Sequence, residues 1–316
     1  MAKRISVINF KGGVGKTMLA FHLATGLVRY HEASVLLVDV DHQSTLSILC
    51  LGGERWRQKC SAHETINSVF TTFTEKTSMP GREIIVENPL EKRSDYYQAL
   101  DIVPATLDLD DTEIELASAS SGNAIRSEWD KRTLLCEWVD HTSIDEEYDY
   151  IIIDCPPATK LVTQNAIACS HGYIIPAIPE AVIIRGVPHL RNLLTNRIEA
   201  RLEMLARFVS NTGTNISPSY VPHTQLVGIV ITRIQKHGAA VSGYVNDHTE
   251  HLHTMESGWG TDMVTPYIEQ GVGISESLRA GLPVYSRGDH YNVHNRNYVN
   301  VFHELTDNLK EKIDNL

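Results

Sequence analysis

The segment Lys11-Gly12-Gly13-Val14-Gly15-Lys16-Thr17 directly follows the apolar run Ile5-Ser6-Val7-Ile8-Asn9-Phe10. These residue types at this spacing suit phosphate binding. Glycine has no Cβ, so a turn built from Gly12, Gly13 and Gly15 tolerates φ > 0 and lets a phosphate approach the backbone closely. The N–H groups of such a turn and of a helix starting at Lys16-Thr17 form an anion cradle. Lys16 is placed to reach β- and γ-phosphates, and the Thr17 hydroxyl to ligate Mg²⁺. The common pattern G-x-x-x-x-G-K-[ST] has its first glycine where this chain has Phe10. In its place the loop carries a second lysine, Lys11, at its mouth.

Two more motifs close apolar runs: Val38-Asp39-Val40-Asp41-His42-Gln43 and Tyr150-Ile151-Ile152-Ile153-Asp154-Cys155-Pro156-Pro157. Ligands of open parallel sheets bind beyond the carboxyl ends of the strands. Asp39 and Asp41 emerge there on one strand face. Asp39 could hold a Mg²⁺-bound water, and Asp41 could orient an attacking water. Four apolar residues ending in Asp154 look like a Walker B strand, whose carboxylate binds Mg²⁺ through water. Pro156-Pro157 stiffen the following turn. A fourth region, Thr265-Pro266-Tyr267-Ile268 with Ser275-Glu276-Ser277 and Gly281-Leu282-Pro283-Val284, reads only as a strand end, a loop and a short helix.

Short apolar runs supply the strands that must carry these residues: Ile5–Phe10, Val35–Val40, Leu100–Val103, Tyr150–Ile153, Tyr173–Ile178 and Val227–Ile231. Their continuous apolar character fits parallel strands covered on both faces. Helical spacing appears after the glycine loop (Leu19, Leu23, Leu27), over Leu190–Leu205, and at Phe302, Leu305, Leu309 and Ile313. The alternation predicts an α/β fold, a doubly wound and mostly parallel sheet with helices on both faces. One domain over 1–316 is expected, with a polar helical insertion around 53–98 and a surface loop over 209–224.

Bulk composition narrows the class. Of 316 residues, 42% are hydrophobic and 21% charged, which is ordinary for a globular chain. The net charge of −11 removes any global basic signal, so a nucleic-acid contact must be a local patch. No apolar stretch reaches the roughly 18 residues of a spanning helix, and with Met1-Ala2-Lys3-Arg4 leading into the first strand no signal peptide is expected. Five scattered cysteines without a C-x-x-C motif suggest reduced thiols and a cytoplasmic protein.

In this order the motifs resemble the ParA/Soj/MinD group of deviant Walker-box ATPases, and ParA/Soj most of all. Lys11–Thr17 and Tyr148–Pro157 carry the resemblance with high specificity. Val38–Gln43, Leu100–Thr106 with Glu113–Leu116, Asn165-Ala166, Gly228–Thr232, Pro266 and Gly281–Val284 support it over nearly the whole chain. The resemblance implies a P-loop NTPase fold, ATP and Mg²⁺ as cofactors, and a homodimer sandwiching ATP. Across that dimer Lys11 reaches the partner's phosphates. A cation supplied in trans stabilises the charge spread over the transferred phosphoryl oxygens. Lys11, Lys16 and Asp41 are the implied catalytic residues. Gly12, Gly13, Val14, Gly15 and Met18 belong with the phosphate loop, Thr17, Asp39 and Asp154 with the metal, and Thr232, Arg233, Pro266 and Tyr267 with adenine.

The resemblance also implies non-specific DNA binding, a nucleoid-associated location, and an adaptor protein of ParB type or on another cargo that stimulates hydrolysis. Arg191, Arg197, Lys236, His237, Arg279 and Arg287 are the basic candidates for DNA. The expected cargo is a plasmid or chromosome, with a protein body such as a carboxysome as the alternative. A MinD-like membrane cycle is a further alternative, but the mixed charges of Glu304–Asp314 suit a docked helix better than a membrane anchor. An iron–sulfur ATPase would need paired cysteines, for which Cys136 and Cys155 are the candidates. Met18, where the family usually has Thr or Ser, His42 at the place of a usual Pro, and Arg185 where many relatives carry Glu all depart from the pattern. With the phosphate loop beginning at Lys11, no added N-terminal helix-turn-helix is expected.

Overall fold

The computed structural model describes residues 1–91, 93–213, 215–235, 244–287, 292–293 and 296–316, with only the backbone at 287, 292, 293 and 296. Among them, β1 (Lys3–Val7), β2 (Val35–Asp39), β3 (Val86–Glu87), β4 (Leu100–Val103), β5 (Tyr150–Asp154), β6 (Gly172–Ala177), β7 (Gln225–Ile231) and β8 (Met263–Val264) form one sheet. Its order is β3-β4-β2-β5-β1-β6-β7-β8. Every pair is parallel except β3 with β4.

Alternation along the strands places helices on both faces. In β2, Val35 and Leu37 point into one apolar cluster and Leu36 and Val38 into the other. Successive strand side chains face opposite ways, so each buried strand feeds two cores. The first core is closed by α1 (Lys16–His31) and α11 (Tyr298–Asp314), through Leu19, Leu23, Phe302 and Leu305. The second is closed by α5 (Ala124–Thr142), α6 (Leu161–Cys169), α7 (Ala181–Leu193) and α8 (Ala200–Asn211), through Leu134, Ile167, Leu190 and Leu202. This is the doubly wound α/β sheet that the apolar runs imply.

Boundaries differ in instructive places. The first strand ends at Val7 rather than Phe10, because the chain must turn there to build the glycine loop. The long helix over 190–205 is two helices joined by a π-helical turn, Leu194–Glu199. The stretch 209–224 is not simply a surface loop: α8 runs to Asn211, and Ser219 and Thr224 are buried. The Ser219 carbonyl accepts from the buried Arg4 guanidinium at 3.0 Å. Within 53–98 lie the end of α2 (Thr45–Ser61), α3 (Asn67–Glu75) and β3. α2 is broken at Gly52, whose φ of 73° and ψ of 159° are not helical. α4 (Leu109–Ser118), α9 (Asn246–Trp259) and α10 (Val272–Arg279) complete the helices used below.

Candidate nucleotide site

Three neighbouring strands end together. Val7 and Asp39 both lie in register with Asp154, from either side of β5. The glycine loop leaves β1 at this edge, with Gly13 at φ 75° and Gly15 at φ 87°, values that glycine adopts without strain. Asn9 steadies the loop's entry: its Oδ1 accepts from the Lys11 N–H at 2.9 Å, and its Nδ2 donates to the Pro176 carbonyl at 2.8 Å. Thr232 donates to the Val14 carbonyl at 2.7 Å, and Arg233 to the Gly13 carbonyl at 2.8 Å. These two residues, expected at adenine, thus pin the phosphate loop from the turn that follows β7.

Asp39 is held from three sides. Its Oδ1 accepts from the Asp41 N–H at 3.0 Å, and its Oδ2 from the Ser47 N–H at 2.9 Å and the Ser47 hydroxyl at 2.6 Å. The Ser47 oxygen in turn accepts from the Ala105 N–H at 2.7 Å. Burial pushes Asp39 up to about 7, against the Ser47 and Asp41 hydrogen bonds. Asp154 is also fully buried, and neither of its oxygens completes a hydrogen bond. Burial and the neighbouring Asp39 push it well above the carboxylate range, while Thr17 and Lys16 favour its charge. Two carboxylates buried side by side out of water stay charged only beside a cation and are otherwise protonated. Thr17, Asp39 and Asp154 therefore suit a hard divalent ion such as Mg²⁺, bound through oxygen and water.

Lys16 is buried, with Nζ 3.5 Å from the Lys11 carbonyl. Burial lowers its pKa, and Asp154 and Asp41 oppose that shift. Asp41 accepts from the Gln43 N–H at 3.0 Å, and the His42 ring lies 3.8 Å from the same oxygen. Lys11 is half exposed and ion-paired with Glu180, the residue that precedes α7.

A cavity of about 840 Å³ opens at this edge. Gly12, Gly13, Gly15, Lys16, Thr17, Met18 and Asp41 line it, as does Arg233. Its apolar wall comes from Ile48, Leu49, Ile268, Ile274 and Leu278, with Gly271 and Gly281 nearby. Pro266 and Tyr267 are not among the lining residues; the Tyr267 hydroxyl instead donates to Glu256 at 2.9 Å. Ser47, Glu180, Arg93 and the segment 269–271 join the site without having been singled out from sequence.

Of the basic candidates, Arg191 is paired with Asp262 at 2.7 Å, Arg279 lines the cavity, and Arg197 is exposed. Lys236, His237 and the Arg287 side chain lie outside the described residues. Cys136 and Cys155 are fully buried and burial pushes both thiols up, which does not suit a cluster shared at a surface. Among the described residues no helix is long and apolar enough to cross a membrane.

The family described as AAA domain matches residues 2–205. The chain belongs to that family. It is 33% identical to the sporulation initiation inhibitor protein Soj of Bacillus subtilis, over 61% of this chain and 64% of Soj. It therefore spans less than two thirds of that relative's length. Against the chromosome partitioning protein ParA of Caulobacter vibrioides it is 25% identical, over 89% of this chain and 85% of ParA. Apo McdA from Cyanothece superposes with a TM-score of 0.67 at 18% identity, covering 99% of this chain and all of McdA. An ATP complex of a McdA variant gives a TM-score of 0.64.

Proposed function

We propose that this chain is a Mg²⁺-dependent ATPase that dimerises around ATP, binds DNA without sequence preference, and positions a plasmid or chromosome through an adaptor that triggers hydrolysis. The observation that carries the reading is the buried pair Asp39 and Asp154, register neighbours at the ends of β2 and β5, set beside a glycine loop that holds two lysines. McdA has been solved with ATP on the same fold, which supports the choice of nucleotide.

In this reading Gly12–Thr17 and Lys16 bind the phosphates, and Thr17, Asp39 and Asp154 hold the metal. Bound Mg²⁺ neutralises charge on the phosphate oxygens. Asp41, fixed by the Gln43 N–H, orients the attacking water. Lys11 exchanges Glu180 for the partner subunit's phosphates, where its charge stabilises the transferring group. Exposed Arg197, with Arg191 once released from Asp262, supplies a local basic contact, which works at a net charge of −11 because salt screens fields beyond about 10 Å. The burial of Phe302, Leu305, Leu309 and Ile313 favours this cycle over a membrane cycle, since α11 has its apolar face docked.

The test is retention of the protein on random duplex DNA. Binding is expected with Mg–ATP, absent with ADP, and weaker as salt rises, because phosphate contacts release counterions. Absence of ATP-dependent binding at low salt overturns the DNA-positioning reading.

A further inference from the structure

Arg93 belongs to the polar stretch 53–98, yet its side chain ends at the wall of the nucleotide cavity. Its Nη1 donates to three backbone carbonyls: Leu49 at 2.7 Å, Cys50 at 3.1 Å and Gly281 at 3.0 Å. The first two close the half of α2 that precedes the Gly52 break. Carbonyls at a helix end lack partners within the helix, and a cation there also matches the dipole. The third carbonyl follows α10. Both glycines beside the guanidinium have positive φ, 73° at Gly52 and 65° at Gly281. A Cβ on Gly52 would lie 3.1 Å from Nη2, and one on Gly281 only 2.2 Å from Nη1. Three carbonyls and two glycines from distant parts of the chain thus form a socket shaped for one guanidinium.

What the socket joins is the site. The first half of α2 carries Ile48 and Leu49, which line the cavity. Leu278 of α10 and Gly281 line it as well. We propose that Arg93 is a positioning residue for nucleotide binding, clamping α2 to the segment after α10 so that their apolar side chains grip the base. The phosphate loop, which Arg93 does not touch, holds the phosphates without it. This assigns the 53–98 stretch a role, and it rests on the reading of the cavity as a nucleotide site.

The test is calorimetric titration of the full chain with Mg–ATP and, separately, with Mg–triphosphate, which has no base. In Arg93→Ala the Kd for Mg–ATP rises about tenfold, the loss expected from a charge-assisted hydrogen-bonded clamp, and that for triphosphate stays within about twofold. Arg93→Lys falls between, since an ammonium lacks the planar fork. Gly281→Ala displaces the guanidinium and reproduces the loss, and the double variant is no weaker than either single one. Equal losses for both ligands, or no loss for either, overturn the inference. If Arg93→Ala does not fold, Arg93→Lys and Gly281→Ala decide it by the same comparison. A wild-type chain that binds no Mg–ATP overturns the functional reading instead. The clamp is then judged by amide exchange at Leu51–Gly53, which accelerates in Arg93→Lys if the clamp holds α2 and is unchanged if it does not.

Discussion

Lys11 and Glu180 form an ion pair within one chain, across the mouth of the phosphate loop. Both side chains are more than a third exposed, at 35% and 41%. A pair so solvated contributes about 0–1 kcal/mol, so the ammonium is released at little cost when a stronger anion arrives.

Lys11→Ala is therefore expected to change unfolding free energy in urea by less than about 1 kcal/mol. ATP still binds, because Lys16 and the loop N–H groups remain. Steady-state hydrolysis falls to background, because the cation delivered to the partner's phosphates is gone. Turnover at the wild-type rate removes Lys11 from the chemistry.

Ser47→Ala tests the support beneath the metal site. The hydroxyl donates to Asp39 and accepts from Ala105, with all three groups buried. Its loss leaves a buried N–H and a buried carboxylate oxygen each short of a partner, at a cost of about 1–3 kcal/mol by denaturant titration. The Mg²⁺ concentration for half-maximal turnover rises in the same variant. Unchanged stability and unchanged Mg²⁺ dependence together contradict the role of Ser47.

His22 sets an acid limit. It is fully buried and stacked on Phe302, with ring centroids 4.1 Å apart. Its Nδ1 donates to the Met18 carbonyl at 2.8 Å, and its Nε2 accepts from the Val284 N–H at 3.3 Å. A second proton would have to point at that N–H. Burial lowers the pKa from 6.5 to about 4. Between those values the unfolded imidazole binds a proton that the folded one refuses, so stability falls as pH drops from 6.5 toward 4. The loss from this residue is at most about 3 kcal/mol. His171, lowered to about 4 by burial, Arg4 and Lys3, adds a loss of the same sign. His22→Gln is expected to flatten the pH dependence of urea unfolding over this window; an unaltered slope contradicts the assignment.

The sheet was legible because its strands are buried on both faces and read as apolar runs. The two-residue strands β3 and β8 are too short to show a period. The phosphate loop and the Asp39, Asp41 and Asp154 positions were legible because each is a local pattern at a strand end. Arg93 was not: its acceptors lie 43, 44 and 188 residues away, and an arginine in a polar stretch looks solvated. Ser47 was hidden likewise, since it takes its meaning from Ala105, 58 residues on. Pro266 and Tyr267, expected at adenine, do not line the cavity while 268–271 do, because loop geometry rather than residue type decides which of them face inward.

The central claim is a two-chain ATP switch, and the molar mass of Asp41→Ala in solution tests it most directly. This variant keeps the phosphate loop and the metal carboxylates but loses the group that orients water. By light scattering it is expected at the 35.3 kDa monomer mass with Mg–ADP and at twice that mass, stably, with Mg–ATP. An ATP-loaded variant that remains a monomer contradicts the account.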